Sequence, residues 1–175
     1  MTAQIAIVVV SDRASRGEYE DKGGPAAEEW LRRVIISPVN ITRVIIPDGR
    51  ASVADTLRAL VDDDGVDLIL VTGGTGPAPR DETPEGMAAV IEKNLPGFGE
   101  LMRRVSLDEV PTAILSRQGA GTRGKCLIIT LPGKPSAIAT CLNAVFPAVP
   151  YCLDLTGAAR IETDPERCAA FRPGG

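Results

Sequence analysis

The 175 residues contain no histidine, which removes Ser-His-Asp and Cys-His triads and every imidazole metal site from consideration. Aromatic residues make up only 3% of the chain. The four cysteines, Cys126, Cys141, Cys152 and Cys168, are too widely spaced for a CxxC pair. With no histidine to complete a zinc set, they read as reduced structural thiols. A basic excess is also missing: 19 Lys and Arg against 23 Asp and Glu leave a net charge of −4, which argues against a nucleic-acid partner. Apolar runs such as Ile5 to Val10 are strand-length, far short of a bilayer span. Met1-Thr2-Ala3-Gln4 leads straight into a strand without the regions of a signal peptide. The expectation is a cytoplasmic protein that neither binds nucleic acid nor crosses a membrane. Its chemistry must rest on carboxylates, backbone N–H groups, Lys, Arg, hydroxyls or a bound ion.

What is present is an apolar fraction of 44% rich in Ala, Val, Ile and Leu, a composition suited to helices packed on a buried sheet of β-branched strands. Ile5 to Val10 reads as a first strand feeding a long polar loop, Arg13 to Gly24. Pro25 then opens a helix whose apolar positions Ala27, Trp30, Leu31 and Val34 recur at helical spacing. Val39 to Ile46 is a second strand, stopped by Pro47-Asp48-Gly49. Ser52 with Asp55 resembles a capping box for the next helix, whose buried stripe is Val53, Leu57, Leu60 and Val61.

Asp67 to Thr72 is a third strand, followed by Gly73-Gly74-Thr75-Gly76-Pro77 and by a helix with Thr83 as N-cap and Pro84 as its first residue. Phe98, Leu101, Met102 and Val105 outline a helix after Pro96-Gly97. Ala113 to Ser116 and Cys126 to Leu131 read as two strands joined by the glycine-rich Gln118 to Gly124, which predicts a hairpin and one antiparallel strand. A final helical region follows Pro135, with Ile138, Leu142 and Val145 on one face. The pattern predicts a three-layer αβα domain over residues 1–157 with a mostly parallel sheet and one antiparallel strand, and a partly ordered C-terminal tail over 158–175. Ligands in such folds gather at the carboxyl ends of the strands.

The most informative stretch is Val71 to Glu85. Three glycines within four positions strip side chains from a turn between a strand and a helix start, so Gly73, Gly74, Thr75 and Gly76 offer backbone donors to an anion, although the spacing is neither the P-loop nor the Rossmann one. A tight turn without a ligand is the alternative. Asp81 beside a phosphate would repel it unless a divalent cation lies between them, which makes Asp81 a candidate Mg²⁺ ligand; a solvated turn aspartate is the other reading. Asp48 ends the second strand at the same edge, and it reads either as a second functional carboxylate or as an Asp-Gly turn residue. Ser11-Asp12-Arg13 ends the first strand, where the groups either meet substrate or cap a loop. Leu131-Pro132-Gly133-Lys134-Pro135-Ser136 repeats the design of strand, glycine turn and proline-started helix, with Lys134 either a phosphate contact or a surface lysine.

Ser11-Asp12-Arg13-Ala14-Ser15 with Gly17 and Asp21, Pro47-Asp48, Thr72 to Gly76 with Arg80-Asp81 and Thr83-Pro84-Glu85, Pro96 to Glu100, Ala113 to Arg117, and Leu131 to Pro135 occur in order. Together they resemble the molybdopterin adenylyltransferase family of the bacterial MogA type, from about Ile5 to Leu155. The resemblance implies adenylation of the terminal phosphate of molybdopterin by Mg-ATP with release of pyrophosphate. It also implies Asp48 and Asp81 as the catalytic and Mg²⁺-binding carboxylates, Gly73 to Gly76 as the nucleotide-side loop, and Ser11 and Ser116 in the ligand pocket. Asp12, Gly133, Lys134 and Ser136 join them as candidate substrate contacts. A homotrimer, and hand-over of the product to a molybdate-inserting enzyme, are further expectations of the resemblance. Two other readings are a nucleotide-pyrophosphate hydrolase resembling the competence-damage-inducible proteins, and a pterin-binding module that has lost catalysis.

Overall fold

β-Branched and leucine side chains set the sheet. In the computed structural model, which describes residues 1–174, β1 (Ala3–Val10) pairs in parallel with β2 (Val39–Ile46) on one side and with β3 (Leu68–Thr72) on the other. β4 (Lys93–Asn94), β5 (Ala120–Arg123) and β6 (Cys126–Leu131) complete six strands in the order β2-β1-β3-β6-β5-β4. β6 lies parallel to β3, and β5 runs against both its neighbours, so it is the single antiparallel strand. β3 and β6 are buried along their whole length, as expected of parallel strands covered on both faces.

The two faces divide the strands by alternation. Ile5, Ile7, Val9, Leu68, Leu70, Leu127, Ile129 and Leu131 face one layer, while Ala6, Val8, Val10, Ile69, Val71, Cys126 and Ile128 face the other. Helix α1 (Asp12–Ser15) is a single turn, and α2 (Gly23–Val34) supplies Ala27, Trp30, Leu31 and Val34 to the first layer. Helix α3 (Arg50–Arg58) and the short α4 (Thr83–Ala88) cover the opposite face through Val53, Leu57 and Met87. Helices α5 (Pro96–Leu107), α6 (Pro135–Val145) and α7 (Val149–Thr156) return to the first layer. Each fully buried Leu or Ile in these layers contributes about 2 kcal/mol relative to exposure. The Trp30 ring meets Phe146 edge-on at 4.8 Å, and its indole N–H donates to Asn143 Oδ1 at 2.9 Å.

Four local expectations give way to tertiary context. Ala113 and its neighbours form a 3-10 turn, Pro111–Leu115, with Ile114 71% exposed; the hairpin strand is β5, joined to β6 by Gly124 and Lys125. Glu82, not Thr83, occupies the cap position of α4. Ser52 donates to the Pro47 carbonyl at 2.8 Å instead of closing a capping box, because α3 already begins at Arg50. Residues 158–174 are packed, not loosely ordered: Ala159, Ile161 and Cys168 join the core, and Thr163 bridges Ile35. The long apolar stretch Pro135–Thr156, with a mean hydropathy of 1.4 over its most apolar window, passes for a membrane span by length and composition. Its Ile138, Leu142, Val145, Phe146, Val149 and Leu153 instead fill the layer over the sheet.

Candidate active site at the carboxyl edge of the sheet

The chain leaves β1 toward β2 on one side, and β3 lies on the other, so the carboxyl ends of β1 and β3 flank the switch point of the sheet, where a crevice opens. Ser11, Gly73 and Gly133 line one cavity of about 170 Å³ there, together with Ala14, Tyr19, Asp21 and Thr72. Three of the sequence-predicted positions, from three separate loops, thus meet in one place. The Ser11 hydroxyl accepts from the Ala14 amide at 3.1 Å, so it caps α1 at the same time as it faces the cavity.

The glycine turn begins with two successive residues at positive φ, Gly73 at 96° and Gly74 at 66°. A Cβ on Gly73 would lie 2.4 Å from the Val10 carbonyl oxygen, and one on Gly74 would lie 2.3 Å from Thr83 Oγ1. Both the conformation and the space demand glycine. The Gly73 amide donates to Leu131 O at 3.1 Å, whereas the amides of Gly74, Thr75 and Gly76 find no protein acceptor among the described residues. Three consecutive free N–H groups on a glycine turn form a donor set for an anion. Thr75 Oγ1 lies 3.5 Å from Ser116 Oγ, which brings Ser116 to the same turn.

Five acids, Asp12, Asp48, Asp81, Glu82 and Glu85, surround this turn, and they differ in their partners. Arg80 grips Asp12 through two bonds of 3.0 Å and also donates to the Asp48 carbonyl at 3.0 Å. That guanidinium holds the Asp12 carboxyl below the usual carboxylate range. Arg117 forks onto Glu85 and lowers its carboxyl in the same way. Asp48, Asp81 and Glu82, by contrast, form no ion pair among the described residues, although Glu82 Oε2 accepts from the Arg50 amide at 2.9 Å. Asp48 Oδ2 accepts from the Asp12 amide at 2.8 Å while Asp12 Oδ1 accepts from the Asp48 amide at 3.1 Å, a reciprocal tie between the ends of β1 and β2. A Cβ on Gly74 would lie 3.3 Å from Asp48 Oδ1, and one on Gly76 would lie 2.8 Å from Asp81 Oδ2. Asp48 and Asp81, neither of them in an ion pair, therefore flank the donor turn.

No group of three metal-ligating side chains occurs among the described residues. Two carboxylates beside a phosphate-binding turn suit a Mg²⁺ that keeps several waters and draws its remaining oxygen ligands from substrate phosphates, not one held in an all-protein cage. Asp81, Glu82, Glu85 and Arg117 line an open hollow of about 410 Å³ beside the turn. Lys134 and Ser136 are exposed and their side chains bond to nothing among the described residues. Arg80 and Arg117 are the site residues that motif reading left without a role. Their signal in sequence is membership of the Arg80-Asp81 and Ala113 to Arg117 motifs, beside Asp81 and Ser116.

The same region is the matched part of known proteins. Residues 6–151 match the family model described as a probable molybdopterin binding domain. The chain is 50% identical over 172 residues to the molybdopterin adenylyltransferase of Helicobacter pylori, covering 98% of both chains. It is 47% identical over 184 residues to the molybdopterin adenylyltransferase of Escherichia coli, covering 98% of this chain and 94% of that one. The molybdopterin biosynthesis enzyme MoaB of Thermus thermophilus superposes with a TM-score of 0.82 at 39% identity, covering 91% of this chain and 99% of its own. A fold, a donor turn and a sequence likeness that runs through both end in one assignment: the chain belongs to the molybdopterin-binding domain family, among the molybdopterin adenylyltransferases.

Proposed function

We infer that the chain is a molybdopterin adenylyltransferase of molybdenum cofactor biosynthesis, with ATP as the nucleotide donor and Mg²⁺ as its companion ion. The observation that carries this reading is the run of free amides at Gly74, Thr75 and Gly76 between two carboxylates that form no ion pair among the described residues. In the reaction a phosphate oxygen of molybdopterin attacks the α-phosphorus of ATP, and the bond to the β-phosphate breaks to release pyrophosphate. The nucleophile is already an anion, so the absence of histidine costs nothing. When bound, Mg²⁺ supplies charge neutralisation at the phosphate oxygens. Asp48 and Asp81 are the residues to hold it, the glycine turn binds phosphates, and Ser11, Asp12, Ser116, Gly133, Lys134 and Ser136 are assigned to the substrate side. Positioning and electrostatics supply most of the rate.

Further parts of the proposal are a homotrimer, a cytoplasmic site of action, and delivery of the adenylylated product to a molybdate-inserting enzyme. Burial pushes the thiols of Cys126, Cys141, Cys152 and Cys168 up from their ordinary value, and all four are unpaired, which suits a reducing compartment. The deciding experiment is mass spectrometry of the products from purified protein, molybdopterin, ATP and Mg²⁺. Adenylylated pterin with an equal yield of pyrophosphate is expected. Hydrolysed nucleotide with unchanged pterin would replace this reading by the hydrolase, and unchanged reactants would replace it by the binding module.

A further inference from the structure

The donor amides of the glycine turn are held from behind. The Gly73 carbonyl accepts from Thr83 Oγ1 at 2.8 Å, the Gly74 carbonyl from the Thr83 amide at 3.1 Å, and the Thr75 carbonyl from the Arg117 amide at 2.8 Å. Each of these carbonyls shares a peptide plane with the amide of the next residue. In a trans plane the C=O and N–H point in opposite directions. Fixing three carbonyls toward Thr83 and Arg117 therefore turns the Gly74, Thr75 and Gly76 N–H groups to the other side of the turn.

The Arg117 side chain extends the same hold. Its Nε donates to Gly76 O at 3.1 Å, one terminal nitrogen donates to Asp81 O at 2.7 Å, and the fork closes on Glu85. One guanidinium thus joins the end of the glycine turn, the backbone of Asp81 and the first turn of α4. Side-chain exposures of 38% for Arg117 and 41% for Glu85 make the ion pair a weak source of stability. Its two carbonyl contacts are what fix geometry. Thr83 is fully buried, so water does not stand in for its hydroxyl.

We propose that Thr83 and Arg117 are positioning residues for adenylyl transfer: Thr83 aims the phosphate-binding amides, and Arg117 sets Asp81 in place relative to them. The proposal rests on reading the glycine turn as the phosphate site. Neither side chain is assigned a contact with substrate, and each acts through backbone groups that it fixes.

Amide NMR with Mg²⁺ and pyrophosphate as the probe separates the two levels. In the wild type the Gly74, Thr75 and Gly76 amide resonances should move on titration; if they do not, the phosphate reading falls and the proposal falls with it. In Thr83→Val those shifts should shrink and the dissociation constant for ATP should rise on the order of 10-fold, as expected when a buried hydrogen bond is lost. Thr83→Ser, which keeps the hydroxyl, should restore both. Arg117→Ala should slow single-turnover adenylation on the order of 100-fold through misplacement of Asp81, while ATP affinity changes by less than about 3-fold. Arg117→Lys, which keeps the charge without the fork, should recover only part of the rate. Undiminished shifts in Thr83→Val together with a wild-type rate in Arg117→Ala would overturn positioning and leave the phosphate site standing. Should Thr83→Val fail to fold, Arg117→Ala decides alone, because its exposed ion pair is not part of the core.

Discussion

Two turns in this chain share one design, a strand followed by glycine and then a proline near the start of a helix, and they carry different burdens. The turn after β3 holds Gly73 and Gly74 at positive φ, with the Val10 carbonyl and the Thr83 hydroxyl where a Cβ would stand. The turn after β6 holds Gly133, where an added Cβ would meet nothing nearer than Gly73 Cα at 3.6 Å, an ordinary contact. The first turn is flanked by Asp48 and Asp81; the second carries the exposed Lys134 and shares its cavity with Ser11 and Asp21. Similar sequence patterns at adjacent strand ends thus produce one turn that only glycine can make and one that tolerates a side chain. What separates them is the neighbouring backbone, which no local pattern displays.

The largest way to sharpen this contrast is to remove charge from the first turn. Asp81→Asn and Asp48→Asn keep shape and hydrogen-bonding capacity, and each should slow single-turnover adenylation at saturating ATP and Mg²⁺ on the order of 100-fold or more, corresponding to about 3 kcal/mol. Their melting temperatures should stay near wild type. A wild-type rate at either position would return that residue to the role of a turn aspartate. Next comes Gly73→Ala, which meets both a positive φ and a backbone oxygen; a loss of about 2 kcal/mol or more is expected, read as a fall in melting temperature of several degrees. Gly133→Ala should change stability by less than about 1 kcal/mol, in the stabilising direction, because alanine narrows the unfolded ensemble. Equal losses at the two glycines would erase the distinction.

The smallest effect is expected at Asp12. Its pKa is depressed in the folded protein, chiefly by the hydrogen bonds from Arg80. The stabilisation is therefore present above the unfolded carboxylate pKa and is lost as pH falls through the lower folded value. Asp12→Asn should lower the melting temperature slightly in the neutral region and leave the acid end nearly unchanged, so that the acid limb of the profile becomes shallower. An unaltered acid limb would show that the Arg80 bridge contributes nothing there.

The strands were legible because β-branched runs bounded by turn residues leave few alternatives. Val39 to Ile46 matches β2 at both ends, and position at the strand ends singles out the glycine turn, Asp48 and Asp81, which lie beside one another in the fold. The hairpin was misplaced because Ala113, Ile114 and Leu115 look more like a strand than Ala120-Gly121-Thr122-Arg123 does. The latter segment is a strand because it fits beside β6: a Cβ on Gly121 would stand 2.7 Å from Ile91 Cδ1, so a residue of low strand propensity is required by close packing. Thr83 carries the chemistry of a cap, yet its hydroxyl goes to Gly73, ten residues back at the start of the same connection. Ile161 and Cys168 lie among charges that suggest a solvated end, but they belong to the same buried cluster as the apolar residues of α2 and α7. The hairpin and the C-terminal segment are set by partners distant in sequence, whereas Ser52 and Thr83 turn to acceptors within the same connection.

The placement of β1 between β2 and β3 has a consequence for the rate at which the protein reaches its native state. Ile5 must find Ile41 and Leu68, and Leu68 must find Leu127, so the central pairings close large loops before their contacts are gained. Chains dominated by such non-local pairing fold in milliseconds to seconds, not microseconds. The Gly73 amide bonds to Leu131, and the Asp12 amide to Asp48. The donor turn and its carboxylates therefore assemble only when these strands are in register, and recovery of nucleotide binding during refolding should lag behind helix formation and coincide with completion of the sheet.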